Sequence, residues 1–261
     1  MKKHLIKIYN FVKYHLVKAE FFFDFENKHK IKEFKNRHLG EKCFIIGNGP
    51  SLKVEDLDKL QNQITFSCNM IYNTLSETKW RPYYYFVHDP KYVQEFSEDI
   101  QKVPCKNKFI GYYVDTKTQV KSKFKTKKNQ LHYYIDKKTF SNKISKNFSK
   151  DVSKIVYSSG SVSYGMLQFA VYMGFSEIYL IGFDHTFSNQ IKDGKLEKRD
   201  TKDHFSNYNV IPGNIVDVDL ITQGFINANN FAKKNNIKIM NATRGGELEI
   251  FQRIDLNDVL K

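Results

Sequence analysis

The 261-residue sequence is poor in cysteine and has no long apolar run. Its three cysteines, Cys43, Cys68 and Cys105, show neither a paired spacing nor the spacing of metal ligands. We recognise no secretory leader and no apolar stretch long enough to span a membrane. We therefore expect a protein of the reducing cytoplasm without structural disulfides or a structural metal.

The sequence also lacks the dinucleotide motif GxGxxG and a Walker loop, which disfavours NAD binding and P-loop nucleotide chemistry. It is short of acidic residues, with 42 Lys and Arg against 28 Asp and Glu, and its formal net charge is +14. Such a charge attracts nucleotides, anionic lipid head groups or nucleic acid. Because no nucleic-acid-binding motif is present, we expect no nucleic-acid partner and keep a non-catalytic basic nucleic-acid-binding module as an alternative.

The most informative stretch is an apolar run that breaks into Gly-Asn-Gly-Pro-Ser at residues 47–51. A helical pattern follows, so a strand, a tight turn and a helix are predicted. Gly47 and Gly49 let the backbone approach a ligand, and Ser51 is expected to cap the helix. Amides at such a turn suit a phosphate, whereas the simpler alternative is an ordinary connection between strand and helix.

Residues 1–40 are predicted to form an amphipathic helix and a polar connector, and residues 41–261 a single catalytic domain. Apolar residues from Leu5 to Phe23 recur every three or four positions, with lysines filling the remainder. This pattern is typical of a helix lying on an anionic membrane surface. The alternative is a helix packed on the domain or on a second subunit, so a homo-oligomer is a second expectation.

Two further predicted strands end in polar residues, the first at Asn69 and the second at Asp89. In open α/β sheets ligands bind beyond the carboxyl ends of the strands. Asn69 and Asp89 could therefore converge with the Gly47–Gly49 turn on one site, although both residue types also make turns and helix caps. Residues 115–154, rich in lysine, are interpreted as a basic loop or lid.

A second block combines a Ser/Gly-rich turn, an apolar helix and a buried strand that ends in Asp184 and His185. Ser161 and Ser163 could hold an anion or a sugar at the helix N-terminus, or merely cap it. Asp184 and His185 would then place a carboxylate and an imidazole at the same edge of the sheet.

The loop after this strand contributes His204 and Tyr208. Imidazole titrates near neutral pH, so His204 is the best candidate for a general base, although a single loop histidine is often inert. Arg244, beside two glycines, could neutralise phosphate charge or lie on the surface.

Together, five blocks resemble the MptE-like family: Ile45–Leu52, Asn69, Gly160–Val162, Met173–His185 and Asn241–Phe251. That family includes Maf-type flagellin-glycosylation proteins and proteins of bacterial capsule and lipopolysaccharide clusters. The blocks are more distantly similar to glycosyltransferase family 42, sialyltransferases that use a CMP-sugar without a metal. The resemblance covers residues 41–260 and implies an α/β, Rossmann-like fold with a mostly parallel sheet and helices on both faces.

The resemblance implies that Gly47, Asn48, Gly49 and Asn69 hold the nucleotide and phosphate of the donor. Asp89 falls where the sialyltransferases have an asparagine, and Ser161–Ser163 falls on their Thr-Ser-Gly turn. This chain departs from them after its Gly-Phe-Asp tip, where His185 stands near the position of two phosphate-assisting tyrosines. His204 lies near the segment that carries their base.

The resulting prediction is an inverting, metal-independent glycosyltransferase. It would move a sialic-acid-like sugar from a CMP donor to a surface polysaccharide or lipid-linked glycan, at the inner face of the cytoplasmic membrane. We assign His204, His185 and Asp184 to catalysis and expect no cofactor. The residues assigned to the nucleotide donor are Gly47, Asn48, Gly49, Ser51, Asn69, Asp89, Ser161 and Ser163. The alternative from the same family is an ATP-dependent pterin pyrophosphokinase, which would need Mg²⁺ held by carboxylates such as Asp89 and Asp184.

Overall fold

The structure is a computed structural model that describes residues 2–112, 129–136, 147–205 and 215–261. Within these ranges, nine strands form one sheet in which every pairing is parallel, and three strands form a small second sheet. Helices cover both faces of the large sheet. The predicted Rossmann-like α/β fold is confirmed.

The strands, in chain order, are β1 (Lys42–Ile46), β2 (Thr65–Cys68), β3 (Tyr84–Val87), β4 (Asn107–Tyr112), β5 (Gln130–Asp136), β6 (Val156–Tyr157), β7 (Glu177–Ile181), β8 (Asn189–Lys192), β9 (Lys195–Lys198), β10 (Val216–Asp217), β11 (Lys238–Asn241) and β12 (Gln252–Arg253). The helices are α1 (Lys2–Phe23), α2 (Phe25–Lys32), α3 (Val54–Asp58), α4 (Pro90–Glu95), α5 (Ser97–Lys102), α6 (Val162–Tyr172), α7 (Val218–Lys234) and α8 (Leu256–Val259), with a 3₁₀ helix at Asn69–Thr74.

The strand order of the large sheet is β12-β11-β7-β1-β2-β3-β4-β5-β6. From β1 the chain builds outward to β6 on one side, and then returns to β7 on the other side of β1. The order therefore reverses between β1 and β7. In open parallel sheets, this switch point opens a crevice beyond the carboxyl ends of the strands.

The sheet has an apolar layer on each face because successive side chains of a strand point to opposite faces. In β1, Cys43 and Ile45 belong to the layer that α2, α6 and α7 cover. Phe44 and Ile46 belong to the opposite layer, under α3, α4, α5 and α8. All four side chains are fully buried. A central strand covered on both faces explains why the sequence here is a continuous apolar run.

The N-terminal segment differs from the single helix and connector predicted for residues 1–40. It forms two helices that meet at Asp24, whose side chain caps α2 by accepting a hydrogen bond from the amide of Asn27 at 3.0 Å. Ile31 and Phe34 are buried in the α6 and α7 layer. The predicted connector is therefore part of the core of the domain, because α2 supplies apolar side chains to it.

Residues 115–154 also differ from the predicted basic loop, since they contain β5, a buried strand of the large sheet. The remaining parts of that range at 115–128 and 137–146 lie outside the described residues, as does Tyr208. A hairpin of β8 and β9 was not predicted. Its strands are short and mostly exposed, so they lack the apolar alternation that would reveal them.

The three cysteines are buried and free. Burial raises the pKa of the Cys68 thiol to about 12 and that of Cys105 to about 11. Both thiols are therefore protonated at neutral pH. Among the described helices, none combines the length and the apolar character needed to cross a bilayer.

Candidate functional site

A cleft of about 150 Å³ lies at the switch point between β1 and β7. Its walls come from the tips of β1, β2 and β7, the first turn of α6, the loop before residue 206 and one face of α7. The predicted residues that line it are Gly47, Asn48, Gly49, Asn69, Ser161, Ser163, Asp184, His185 and His204. Residues up to 157 positions apart in the sequence thus converge on one crevice, at the edge that a parallel sheet predicts.

The strand tips beside the cleft approach so closely that only glycine fits. A Cβ atom on Gly47 would lie 2.4 Å from the carbonyl oxygen of Gly182, and one on Gly182 would lie 2.9 Å from the carbonyl oxygen of Gly47. A Cβ atom on Gly49 would lie 2.0 Å from Oδ2 of Asp184. The space beside Gly47 and Gly49, which was predicted to admit a ligand, is therefore filled by the neighbouring strand tip and the side chain of Asp184.

Asp184 is a buried carboxylate that holds the β1 turn. It accepts hydrogen bonds from the amide of Ser51 at 3.2 Å and from the hydroxyl of Ser51 at 2.8 Å. The prediction that Ser51 caps α3 is wrong, because α3 begins after Lys53 and has no side-chain cap. Ser51 does not line the cleft. The contacts assign Asp184 to positioning the turn and leave no contact that supports its predicted catalytic role.

The amides of the turn are also engaged within the protein. Gly47 donates its N–H to the carbonyl of Ile181 at 2.8 Å, and Gly49 donates to the carbonyl of Gly182 at 3.0 Å. With the Ser51 amide bonded to Asp184, these three donors are satisfied by protein acceptors. The expected phosphate cradle at this turn is therefore not formed, because the turn uses its donors to join β1 to β7.

Asn48 and Asn69 face the cleft at adjacent strand tips. The Asn48 side chain donates from Nδ2 to the carbonyl of Cys68 at 3.1 Å, which fixes its orientation. The Oδ1 atoms of both residues are buried without a hydrogen-bond partner among the described residues. Asn69 has a left-handed backbone, with φ of +46°. Buried polar atoms are normally paired, so these two oxygens mark a place where a ligand donor would fit.

His185 follows β7 and also has a left-handed backbone, with φ of +59°. Residues other than glycine seldom adopt this conformation, although histidine is among those that adopt it more often. Its Nε2 is hydrogen-bonded to Oγ1 of Thr222 on α7 at 2.8 Å. Burial lowers the pKa of His185, while Glu247 raises it by a smaller amount. The imidazole is therefore neutral at pH 7.

His204 lies on the opposite wall, where the chain is fastened to the β1 turn through the amide of Phe205, which donates to the carbonyl of Asn48 at 3.0 Å. Burial lowers the pKa of His204, whereas Asp203 and a hydrogen bond with the Asn48 backbone raise it less. Asp203 accepts hydrogen bonds from the amide and hydroxyl of Ser188. The result is a neutral imidazole held beside Asn48.

The predicted helix at the second block is α6, and Ser161 is its N-cap, accepting a hydrogen bond from the amide of Ser163 at 3.3 Å. The two serine hydroxyls are hydrogen-bonded to each other. α6 thus begins in the wall of the cleft, with two hydroxyls and the positive end of an eleven-residue helix facing it. Gly174 follows the end of the helix with φ of +90°, a conformation typical of a glycine C-terminal to a helix.

Asp89 and Arg244 do not take part in the cleft, although both are described by the structure. Asp89 is exposed beyond β3, because its neighbour His88 turns inward and lies 3.4 Å from Oγ of Ser158. Arg244 forms an ion pair with the buried carboxylate of Asp56 at 3.0 Å and donates to the carbonyl of Ser51. The expected phosphate role of Arg244 is not supported, because its guanidinium fastens Asp56 to the β1 turn.

Sequence reasoning missed one group of residues in the site, the apolar wall from Met166, Phe183, Phe187, Ile221 and Phe225. The 3.6-residue pattern of α7 reveals an apolar face but not which part of it meets a cleft. Within the described residues, no three His, Cys, Asp or Glu side chains are grouped to hold a metal ion.

A family model described as 6-hydroxymethylpterin diphosphokinase MptE-like matches residues 19–190, which is more than half of the chain. The chain belongs to the MptE-like family. In this MptE-like protein the matched range contains the β1, β2 and β7 tips and the first turn of α6. His204 and α7 lie beyond it, so these two walls of the cleft come from outside the matched range.

The fold of the MptE-like protein is similar to that of a MAf glycosyltransferase from Magnetospirillum magneticum AMB-1. The sequence identity is 12% and the TM-score 0.48, over 89% of this chain and 38% of that protein. The chain thus spans well under half the length of that protein, and a likeness this distant does not carry over an activity. No curated protein sequence matches the chain.

Proposed function

We propose that this MptE-like protein is a glycosyltransferase that moves a sialic-acid-like sugar from a CMP donor to a hydroxyl of a surface polysaccharide or lipid-linked glycan. One observation carries the proposal. Two neutral imidazoles, His185 and His204, share a single cleft with two unpaired asparagine oxygens and the N-terminus of α6. A base and a set of polar recognition groups therefore face the same small volume.

His204 is the general base of the proposed reaction. A neutral imidazole accepts a proton, and burial, which lowers the pKa of His204, favours this form at neutral pH. Its hydrogen bond with the Asn48 backbone orients the ring. The acceptor oxygen attacks the anomeric carbon, the bond from that carbon to the phosphate oxygen breaks, and the hydroxyl proton passes to His204. A single displacement of this kind inverts the anomeric centre.

The donor phosphate is placed at the first turn of α6 rather than at the β1 turn, whose amides are occupied. The N-terminus of α6 carries partial positive charge, and Ser161 and Ser163 add hydroxyl donors. The oxygens of Asn48 and Asn69 accept hydrogen bonds, so they suit the exocyclic amine of cytosine or the hydroxyls of a ribose. His185, on the β7 tip, lines the same cleft, and its proposed role is to donate to the departing phosphate.

The hydrogen bonds of the two carboxylates that line the cleft favour a reaction in which the imidazoles transfer the proton. Asp184 is bonded to Ser51, and Asp203 is bonded to Ser188, so each already fastens a loop. Neither is positioned as a second nucleophile for a double displacement. These bonds are the basis for proposing an inverting, metal-independent mechanism.

A second candidate is the ATP-dependent transfer of a diphosphate to a pterin, which the description of the matching family favours. That chemistry would use Mg²⁺ held between phosphates and carboxylates. Asp89 and Asp184, the residues predicted to hold Mg²⁺, are not positioned to bind one ion jointly. Asp89 is exposed outside the cleft lining, and Asp184 is buried against Ser51.

Calorimetric titration with CMP, CDP, UDP, GDP and ATP, each with and without Mg²⁺, separates the two candidates. We expect CMP to bind without Mg²⁺ and to be displaced by a CMP-sugar. If only ATP with Mg²⁺ binds, the glycosyltransferase proposal fails and the diphosphokinase takes its place.

Two substitutions test the roles within the cleft. His204→Ala should lower kcat by about 10²-fold or more, as for loss of a general base, while donor affinity stays nearly unchanged. Asn48→Ala should instead weaken donor binding. His29→Ala, at an exposed histidine of α2, is the matched control and should change neither quantity. Equal losses of donor affinity from His204→Ala and Asn48→Ala would remove His204 from the base role.

A further inference from the structure

The first helix of the chain carries most of the exposed apolar surface. Of fifteen large apolar side chains that are exposed among the described residues, ten lie between residues 5 and 25. They are Leu5, Ile6, Ile8, Tyr9, Phe11, Val12, Leu16, Phe22, Phe23 and Phe25. Leu5, Phe11 and Leu16 are each more than 60% exposed. Leu5, Ile8, Val12 and Leu16 recur every three or four positions and so share one face of the helix. An exposed apolar face of this kind marks an interaction site in a folded protein.

α1 is fastened to the domain at its C-terminal end. Phe21 is buried and its ring lies 5.5 Å from that of Tyr134 on β5. The next helix is fixed more firmly, because Asn27 donates to the carbonyl of His132 at 2.6 Å and accepts from the amide of His132 at 2.8 Å. The attachment is therefore at Phe21 and α2, and seven of the ten exposed apolar residues, from Leu5 to Leu16, precede it.

The charge of α1 indicates which kind of partner its exposed apolar face binds. Residues 2–19 contain five lysines and no aspartate or glutamate, and the first acidic residue is Glu20. Two copies pairing along this helix would bring ten lysines together, which repels. An anionic lipid surface instead attracts each lysine and accepts the apolar side chains at the boundary of its acyl chains.

We propose that α1 is a membrane-surface helix that binds anionic phospholipid. Its apolar residues enter the interface and its lysines contact the head groups. The helix lies in the plane of the surface, since a polar residue interrupts every apolar run within residues 2–19.

The attachment of α1 also sets how the domain meets the membrane. Asn27 contacts His132, and Phe21, which comes before it in the chain, contacts Tyr134. Tyr134 is nearer than His132 to the carboxyl end of β5, so the chain from α2 back to α1 runs towards that end. All strands of the large sheet are parallel, so this is the edge that carries the cleft. A membrane-bound α1 therefore brings the cleft side of the sheet nearer to the lipid surface.

Co-sedimentation of the full chain with vesicles tests this directly. Vesicles of phosphatidylcholine alone should bind weakly, and vesicles with about a third phosphatidylglycerol should bind strongly. Lysines near an anionic surface each contribute roughly fivefold in affinity, so Lys7→Gln/Lys13→Gln should lower the apparent affinity by about 25-fold. Raising the salt concentration should also lower the apparent affinity, because salt screens the charges.

The apolar part is tested with Leu5→Glu/Val12→Glu/Leu16→Glu, which should abolish sedimentation with either kind of vesicle. Leu196→Glu, at an exposed leucine of β9, is the matched control and should sediment like the unchanged protein. Because the altered α1 residues are exposed, the thermal unfolding midpoint should be the same in all variants. Light scattering after gel filtration reports the oligomeric state of each.

Three results would overturn the proposal. The first is equal binding to neutral and anionic vesicles. The second is no effect of either α1 variant on sedimentation. The third is a full-length chain that does not bind vesicles and forms an oligomer, while the Leu5→Glu/Val12→Glu/Leu16→Glu variant does not form that oligomer. This result would assign the helix to a protein partner. None of these results depends on nucleotide binding, so they leave the proposed transferase activity to its own test.

Discussion

The hydroxyl of Ser51 donates a 2.8 Å hydrogen bond to Oδ2 of Asp184, which is 133 residues further along the chain. The bond joins the tips of β1 and β7, the two strands between which the order of the sheet reverses. Asp184 is only 8% exposed, so its charge depends on the donors from Ser51. This contact therefore holds one end of the crevice at a fixed width.

Ser51→Ala should lower the free energy of unfolding by about 1–3 kcal/mol, because it removes a hydroxyl donor from a buried carboxylate. Ser176→Ala is a matched control, since the Ser176 hydroxyl donates at the same distance to the carbonyl of Gly40 but at an exposed place. Its loss should be smaller. Urea unfolding of both variants measures the difference. Equal losses would show that the hydrogen bond to Asp184 contributes no more to the free energy of unfolding than an exposed one.

Gly49→Ala should be strongly destabilising, because the new Cβ atom would lie 2.0 Å from Oδ2 of Asp184 and 2.7 Å from the carbonyl oxygen of Gly182. The chain offers a matched control in Gly165→Ala on α6. There the nearest atom would be 3.6 Å away, and alanine favours a helix interior by up to about 1 kcal/mol. Thermal unfolding should show opposite shifts for the two variants. A mild effect from Gly49→Ala would mean that the Asp184 side chain can move aside.

The sequence identified the strand tips well because the physical signals there are local. Apolar runs that end abruptly in Gly47, Asn69 and Asp184 mark parallel strands, and parallel strands bring their carboxyl ends to one edge. The MptE-like resemblance added the nucleotide interpretation. The side-chain partners were not predictable, because the Ser51–Asp184 and Arg244–Asp56 contacts join residues 133 and 188 positions apart.

Two errors have a common physical cause. Asp89 was placed in the site, and Ser51 was interpreted as a helix cap, because the type of a residue was used without its direction. In a strand buried on both faces, neither neighbour is distinguished by polarity. The direction of each tip residue depends on backbone angles after the strand, which the sequence does not encode in any simple period.

The pKa values of His185 and His204 are both lowered, with burial as the largest cause. In the unfolded chain these histidines titrate near 6.5, so between that value and their folded pKa the unfolded state binds more protons. Stability is therefore fully present above pH 6.5 and is lost as the pH falls through and below it. Urea unfolding between pH 7.5 and 5.5 should show this decline. The His185→Gln/His204→Gln variant should have a flatter profile, and an unchanged slope would contradict the assignment.

Arg244→Ala should lower the free energy of unfolding by about 1–2 kcal/mol, because it leaves the buried carboxylate of Asp56 without its ion-pair partner. The value is reduced because the arginine is about half exposed. Arg199→Ala breaks a more exposed pair with Glu247 and should cost less than about 1 kcal/mol. Nucleotide affinity, measured by calorimetry, should not change in Arg244→Ala. A loss of affinity without a loss of stability would restore the phosphate role.

The reciprocal contact of Gly47 and Gly182 constrains how this protein can evolve. Each glycine makes room for the other's carbonyl oxygen, so a side chain on either strand tip closes the same gap. No change at one position can compensate for a change at the other, because neither residue can become smaller. In descendants that keep β1 and β7 in register, we expect both glycines to persist together, and a lineage that loses one should lose the shape of the crevice with it.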